Sequence, residues 1–322
     1  MTAGLRGRRR IRSVFVALLL LLLADTALWA ILCRRLEAGL REAAADRQSG
    51  WTVAAEGERW SGWPFSAAVE LSGVSAEGTL LPGLVWRSER VRVALAFLHP
   101  TELSVRAGGA QSVAARGIAP VPFTADLTEL TADLTGAAPP HGRIAGLRAT
   151  LPAGGMRIAT GEITLPPDTI VADVAGVSLP QVSTVIDSAH LRARITPSPP
   201  VAATPRASAS AWRAAGGQIE IAEAEVHWDR LDAAGTGTIT LDDALQPHAD
   251  GMIDAGGLPQ LLDDLVKAGA LAPAQAGAAK AVIAILAAPS GGKRVRLPVS
   301  LESGVLRLAN FPLVRFPPLS WD

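Results

Sequence analysis

The chain has 322 residues, with 30 basic and 30 acidic side chains, 49% hydrophobic residues, 4% aromatics and no Tyr. This apolar content excludes wholesale disorder, and the length supports one large core or two medium ones. The lone cysteine, Cys33, excludes an intramolecular disulfide framework and a multi-cysteine metal site. The zero net charge is unevenly distributed. Arg6, Arg8, Arg9, Arg10 and Arg12 open the chain with no acid among them, whereas 25 basic and 29 acidic residues follow from Arg34 onward. Beyond the first twelve residues the arginines are scattered among acids, so no nucleic-acid footprint is present.

Val14–Leu32 is a nearly continuous apolar run of 19 residues. As a helix it rises about 28 Å, close to the hydrocarbon thickness of a bilayer. The arginines before it favour a cytoplasmic N-terminus and export of the remainder. We therefore expect a basic tail at 1–12, a transmembrane helix at 13–33 and a helical stalk at 34–50. Trp29 would sit at the outer interface, with Arg34 and Arg35 reaching outward. Asp25 interrupts the run at a cost of about 3 kcal/mol in lipid, which makes it a candidate helix–helix contact. No good cleavage site or lipoprotein box follows, so the residues favour an uncleaved anchor over a cleaved signal. In the stalk, Leu36, Leu40, Ala43 and Ala44 share a face, and Glu37 and Arg41 form an i,i+4 pair.

From Trp51 the period changes to two. Phe65, Ala67, Val69 and Leu71 alternate with more polar residues, as do Val91, Val93, Leu95 and Phe97, and later Val295, Leu297, Val299 and Leu301. Weaker strand patterns lie near 101–106, 111–118, 123–134, 143–151, 156–165, 168–178, 183–195, 218–229 and 235–241, with a bulge or turn between Leu127 and Leu130. Gly and Pro punctuation at about ten-residue spacing argues for a meandering antiparallel sheet. The Pro/Ala/Ser-rich stretch 196–211 reads as a loop or linker between a first β-rich unit, 51–195, and a second, 212–322. Helical faces near 258–268 and 274–287 form a plug on the sheet or a hairpin that completes its core. The fold class is thus mainly β with a few helices: an N-terminal transmembrane helix and stalk, then curved antiparallel sheet with a helical pair in the last third.

No catalytic signature emerges. His99, His141, His190, His227 and His248 lack metal-ligand spacing, and there is no nucleophile elbow, Walker lysine or dinucleotide fingerprint. His227 before Asp229 reads as a surface histidine at a strand end. Asp242, Asp243, Asp250 and Asp254 lack calcium-loop spacing and read as a solvated turn between strands. We assign no catalytic residue, metal or cofactor. The distinctive residues are aromatic-Pro-Gly clusters: Gly62-Trp63-Pro64-Phe65, Pro100 within Phe97–Leu103, and a C-terminal segment containing Pro317, Pro318 and Trp321. Such clusters pin strand ends and turns more often than they bind ligands.

In this order, the Gly62-Trp63-Pro64-Phe65 and Pro100-Thr101-Glu102-Leu103 motifs resemble those of DUF2125, a family of bacterial envelope proteins. The resemblance extends over Trp228, the Gly235-x-Gly237 turn into Leu241-Asp242, Leu261-Leu262 and the Pro-rich end; Leu98-His99 departs from it where a Trp is expected. It implies a single anchor and a β-rich periplasmic body, similar in plan to AsmA-like envelope proteins, which are associated with lipid movement. The expectation is a non-enzymatic inner-membrane protein whose apolar sheet face handles membrane lipid, with small residues leaving room there. The alternative is a scaffold whose sheet edges bind another envelope or membrane protein.

Overall fold

The computed structural model describes residues 4–45, 51–78, 84–115, 118–151, 154–178, 185–200, 202, 204–267, 272–288, 294–309 and 311–321, with the side chains of 4–18, 265, 275, 278, 311, 313 and 314 outside the described part. One long helix, α1 (Gly4–Ala45), precedes β1 (Trp51–Ala54), β2 (Gly57–Ser61), β3 (Ser66–Gly78), β4 (Leu84–Ala96), β5 (His99–Ala115), β6 (Ile118–Thr124), β7 (Leu127–Asp133), β8 (His141–Leu151), β9 (Gly154–Thr164), β10 (Thr169–Ser178) and β11 (Val185–Thr196). Then come α2 (Pro205–Ala214), β12 (Gln218–Trp228), β13 (Leu231–Leu241), β14 (Pro247–Gly256), α3 (Leu258–Lys267), α4 (Pro273–Ala287), β15 (Arg294–Glu302), β16 (Val305–Leu308) and β17 (Phe311–Arg315).

Among the described residues, seventeen strands form one sheet. Its pairing is an antiparallel meander: β1 and β2 share the edge of β3, β6 and β7 lie end to end between β5 and β8, and every later strand pairs with the next through β17. The irregularity expected between Leu127 and Leu130 is absent: β7 keeps an unbroken register with β8 there, and the break falls earlier, between Thr124 and Leu127.

The sheet does not stop at the Pro/Ala/Ser-rich stretch. β11 and β12 pair directly from Ser188↔His227 to Thr196↔Gln218. The intervening segment, expected as a linker, contains α2. Thr204 caps that helix by accepting a hydrogen bond from the Ala207 amide at 3.2 Å, and Pro205 sits in its first turn, where no amide is needed. Buried Trp212 then ties α2 to the sheet, its indole donating to the Pro197 carbonyl at 2.7 Å. Composition alone conceals this helix because its apolar residues are mostly Ala. Asp250 and Asp254, expected in a turn, lie instead on β14, with Asp254 opposite Arg296; Asp242 does sit in a turn, accepting from the Ala244 and Gln246 amides.

The stalk is a layer of the fold rather than a spacer. Leu36 and Leu40 pack on Val74, Val91 and Val93, and Cys33 is fully buried with its Sγ 3.9 Å from the Ala68 carbonyl. Arg41 bridges Glu37 and Glu58, and the Trp60 indole donates to Glu37 at 2.9 Å. Trp29 donates to the Ser61 carbonyl at 3.3 Å, and the Arg34 guanidinium lies 5.9 Å over the Trp60 ring. From Trp29 onward the helix touches protein, so the last residues of the segment expected at 13–33 lie against the sheet. Among the described residues, no helix is long and apolar enough to cross a membrane. The expected end of the stalk at Ser49-Gly50 lies outside the described residues; α1 ends at Ala45.

Candidate functional site

Strand alternation and register together build two rows of opposite character. On one face, Leu71, Val91, Ala107, Thr128, Ile144, Gly161, Val174, Ala189, Val226, Ala233, Ala255 and Val295 are successive cross-strand partners from β3 to β15. A parallel row on the same face runs from Val69 and Val93 through Leu130, Ile163 and Leu191 to Ile253 and Leu297. Between these rows and on the opposite face lies a charged one: Glu70, Arg92, Arg106, Glu129, Arg143, Glu162, Asp173 and His190. Arg106–Glu129 at 2.7 Å, Arg143–Glu162 at 3.1 Å and His190–Asp173 at 2.7 Å pair along it. Arg59 holds Glu70 at 2.6 Å, and its hydrogen bond keeps that carboxyl below the usual carboxylate range. Side chains alternate across a strand, so one face is committed to water and the other to an apolar environment.

Among the described residues, α1 and the α3–α4 pair sit at the two ends of the apolar face, and α2 lies against β13. α1 covers Val74, Val91 and Val93, while Leu258 of α3 and Ile283 and Ala287 of α4 pack with Val295 and Leu297. No helix packs substantially on the middle strands β7–β11 among the described residues. Leu130 and Ile163 there stay more than a third exposed. At about 4.8 Å between strands, this open stretch is roughly 20 Å across. The room expected at small residues is partly taken. A Cβ on Gly142 would meet Ile163 Cγ2 at 2.7 Å, and one on Gly161 would meet Ile144 Cγ2 at 2.9 Å. The glycines let neighbouring isoleucines spread over the surface and make it smoother and more apolar.

At one margin of this face lies an apolar cavity of about 460 Å³. Trp51, Gly78 and Leu84 from the first strands line it together with Ile195, Ile219 and Ile239 from β11–β13. Strands so far apart in the meander meet because the sheet curls, as accumulated strand twist requires. Trp212 and Trp321 complete the wall. Trp321 is fixed by its indole bond to the Leu245 carbonyl at 2.7 Å, and Gln246 exchanges hydrogen bonds with the Leu319 backbone. The expected C-terminal anchor at Trp321 is thus part of the cavity, whereas Pro317 and Pro318 lie in the exposed approach to it. No local sequence signal marks Trp51, Trp212, Ile219 and Ile239, since only the curl of the sheet unites them. A larger cavity of about 550 Å³ is lined by Arg59, Glu70, Arg92 and Arg106, whose charges belong to the paired row.

The other sequence-selected residues divide. Gly62 pins its turn as expected: it takes φ of 95°, and its carbonyl accepts from the Phe65 and Ser66 amides. The rings of that motif do not pack inward. Phe65 is 82% exposed because β3 begins one residue later, and Trp63 is nearly half exposed. Pro100 is the second residue of β5 and is exposed. Asp25 lies on α1 one turn before Trp29, on the stripe that continues through Cys33, Leu36 and Leu40. Arg6, Arg8, Arg9, Arg10 and Arg12 fall on α1, with side chains outside the described part. His227 stands at a strand end as expected, 3.1 Å from Asp232. Among the described residues, no group of three or more His, Cys, Asp or Glu is placed to hold a metal.

No curated protein and no solved structure matches the chain significantly. A family model does, one described as an uncharacterized protein conserved in bacteria (DUF2125), over residues 29–317. The match begins at Trp29, the residue where α1 first meets the sheet, and runs to the Pro-rich approach to the cavity. It therefore embraces the docked part of α1, the described strands of the meander and helices α2–α4, and the chain belongs to the DUF2125 family.

Proposed function

We propose that the protein is a non-enzymatic, membrane-anchored envelope protein that binds lipid acyl chains on its apolar sheet face. In this reading the N-terminal half of α1 sits in the bacterial inner membrane, the arginine-rich start is cytoplasmic and the sheet is periplasmic. The observation that carries it is the run of apolar partners across β3–β15, left without a helix over β7–β11 and ending at the apolar cavity. Each methylene moved from water onto such a surface contributes about 0.8 kcal/mol, so an acyl chain gains enough to be held without any polar recognition. The charged row on the opposite face keeps that side in water and leaves one face for the ligand.

The test is lipid retention by the full chain extracted in mild detergent. Native mass spectrometry should find bound phospholipid, and a photoactivatable fatty acyl probe should label β7–β11. Leu191→Glu and Ile144→Glu place a charge on the open face at half-buried positions and should reduce labelling several-fold, with the circular dichroism spectrum unchanged. Absence of retained lipid together with unlabelled middle strands refutes the reading.

A further inference from the structure

The turns at one end of the first hairpins carry large apolar side chains. Phe65 is 82% exposed, Leu98 is 89% exposed, and Trp63 is nearly half exposed. Phe65 and Trp63 belong to the turn between β2 and β3, and Leu98 to the turn between β4 and β5. The two turns are joined, because the Phe97 amide donates to the Phe65 carbonyl at 3.1 Å. Isolated exposed apolar residues are ordinary on a protein surface, but three at adjoining tips form a patch.

α1 leaves the sheet at this same end. Its contacts move down β3 from Val74, under Leu36 and Leu40, to Ala68 at Cys33, and then to Ser61 at Trp29, next to the Gly62 turn. The helix continues toward the N-terminus for residues 4–28, roughly 37 Å at 1.5 Å per residue, and Leu19–Leu23 lie exposed on it. The tips therefore stand beside the point where an exposed apolar helix departs. Two exposed arginines, Arg34 and Arg35, lie on the first turns of the docked half, where anionic headgroups would meet them.

We propose that Trp63, Phe65 and Leu98 insert into the headgroup–acyl boundary of the bilayer that α1 enters. This second contact fixes the tilt of the sheet over the membrane. The inference rests on the membrane-anchor reading above and adds the surface by which the body is seated. A bilayer suits the patch because the same boundary must accept the Leu-rich helix alongside it, and Trp is favoured at that depth. Once seated, the sheet holds its open apolar face at a set angle to the lipid.

The experiment uses the full chain reconstituted into vesicles of phosphatidylethanolamine and phosphatidylglycerol, in a Cys33→Ser background. An environment-sensitive fluorophore is attached at Phe65→Cys, Leu98→Cys, Leu21→Cys or Glu77→Cys. These positions are already exposed, so the label leaves the packing intact. The probes at 65 and 98 should shift to the blue and be quenched at least twofold more by a nitroxide high on the acyl chain than by one near its methyl end. The Glu77 probe, roughly 40 Å away along β3, should be unaffected. If Leu21 is quenched but 65 and 98 are not, the seating surface is overturned and the anchor stands. If none of the three is quenched, both fall. Equal quenching at Glu77 means general adsorption and also overturns the proposal.

Discussion

Trp29 and Trp60 meet edge to face, with ring centroids 6.0 Å apart and planes at 83°, and this contact closes the joint between α1 and the sheet. Each indole also donates outward, Trp29 to the Ser61 carbonyl and Trp60 to Glu37. Edge-to-face pairs are worth about 1 kcal/mol beyond their buried area, so Trp29→Ala and Trp60→Ala should be non-additive by about that amount in a double-mutant cycle. Cys33 gives a direct readout. It is fully buried one turn along the helix, and maleimide should modify it in either variant much faster than in the parent. Unchanged thiol protection in both variants shows that the joint is held elsewhere.

Much of this architecture is legible in the sequence, because alternation and register are local. β15 occupies Arg294–Glu302 as its alternation requires, and α3 and α4 fall within a residue or two of their helical faces. The DUF2125 motifs in order also lead to the family. What the sequence conceals depends on distant partners. Trp29 and Cys33 read as membrane residues, since apolar side chains look alike whether lipid or a β3 strand covers them. Phe65 continues an inward alternation on paper, but the Gly62 turn delays the strand start and leaves its ring outside. α2 is hidden by its alanines. The apolar cavity is invisible because Trp51 and Ile239 are brought together by the twist of many strands.

The charged row makes a prediction about the outer face. Arg143 lies between Glu129 on β7 and Glu162 on β9 as their direct cross-strand partner. Arg143→Glu sets three carboxylates side by side, and like charges directly opposite one another in a sheet cost up to about 1 kcal/mol each. Chemical denaturation should show that loss at low salt and a smaller one at high salt, since positions 143 and 162 are exposed. Adding Glu162→Arg should recover part of it. A salt-independent loss points to changed packing instead.

The cavity beside Trp212 makes a second. Ile239 faces it from β13, and Ile219 faces it from the neighbouring strand, where the two are cross-strand partners. The volume of about 460 Å³ accommodates the larger ring of Ile239→Phe without displacing the wall. That variant should keep or slightly raise its unfolding midpoint while reducing labelling by the acyl probe near α2. Strong destabilisation, in the range of 1–3 kcal/mol typical of overpacking, shows that the space is already filled in solution.

Acid pH tests the cluster that binds β13, β14 and β15 together. Arg294 lies 2.8 Å from Asp232 and also pairs with Asp254. The hydrogen bond from Arg294, followed by its charge, holds the Asp232 carboxyl below the usual carboxylate range, and the two aspartates in turn raise the Arg294 guanidinium. A depressed carboxylate means that the unfolded chain takes up the proton first, near pH 4 for an ordinary Asp. The stabilisation is therefore complete above that value and is lost as pH falls through the lower folded one. Both side chains are about half exposed, so solvent screens the pair and its contribution is small. In a His227→Gln background, which removes the imidazole 3.1 Å from Asp232, Asp232→Asn should be less stable than its parent at pH 7, and the gap between their unfolding midpoints should close on acidification below pH 4. Glu70 and Asp133, whose carboxyls are also held low by their own partners, titrate equally in both proteins and leave the difference untouched. A gap that stays constant from pH 7 to pH 2 assigns the loss to the amide's packing rather than to the charge on Asp232.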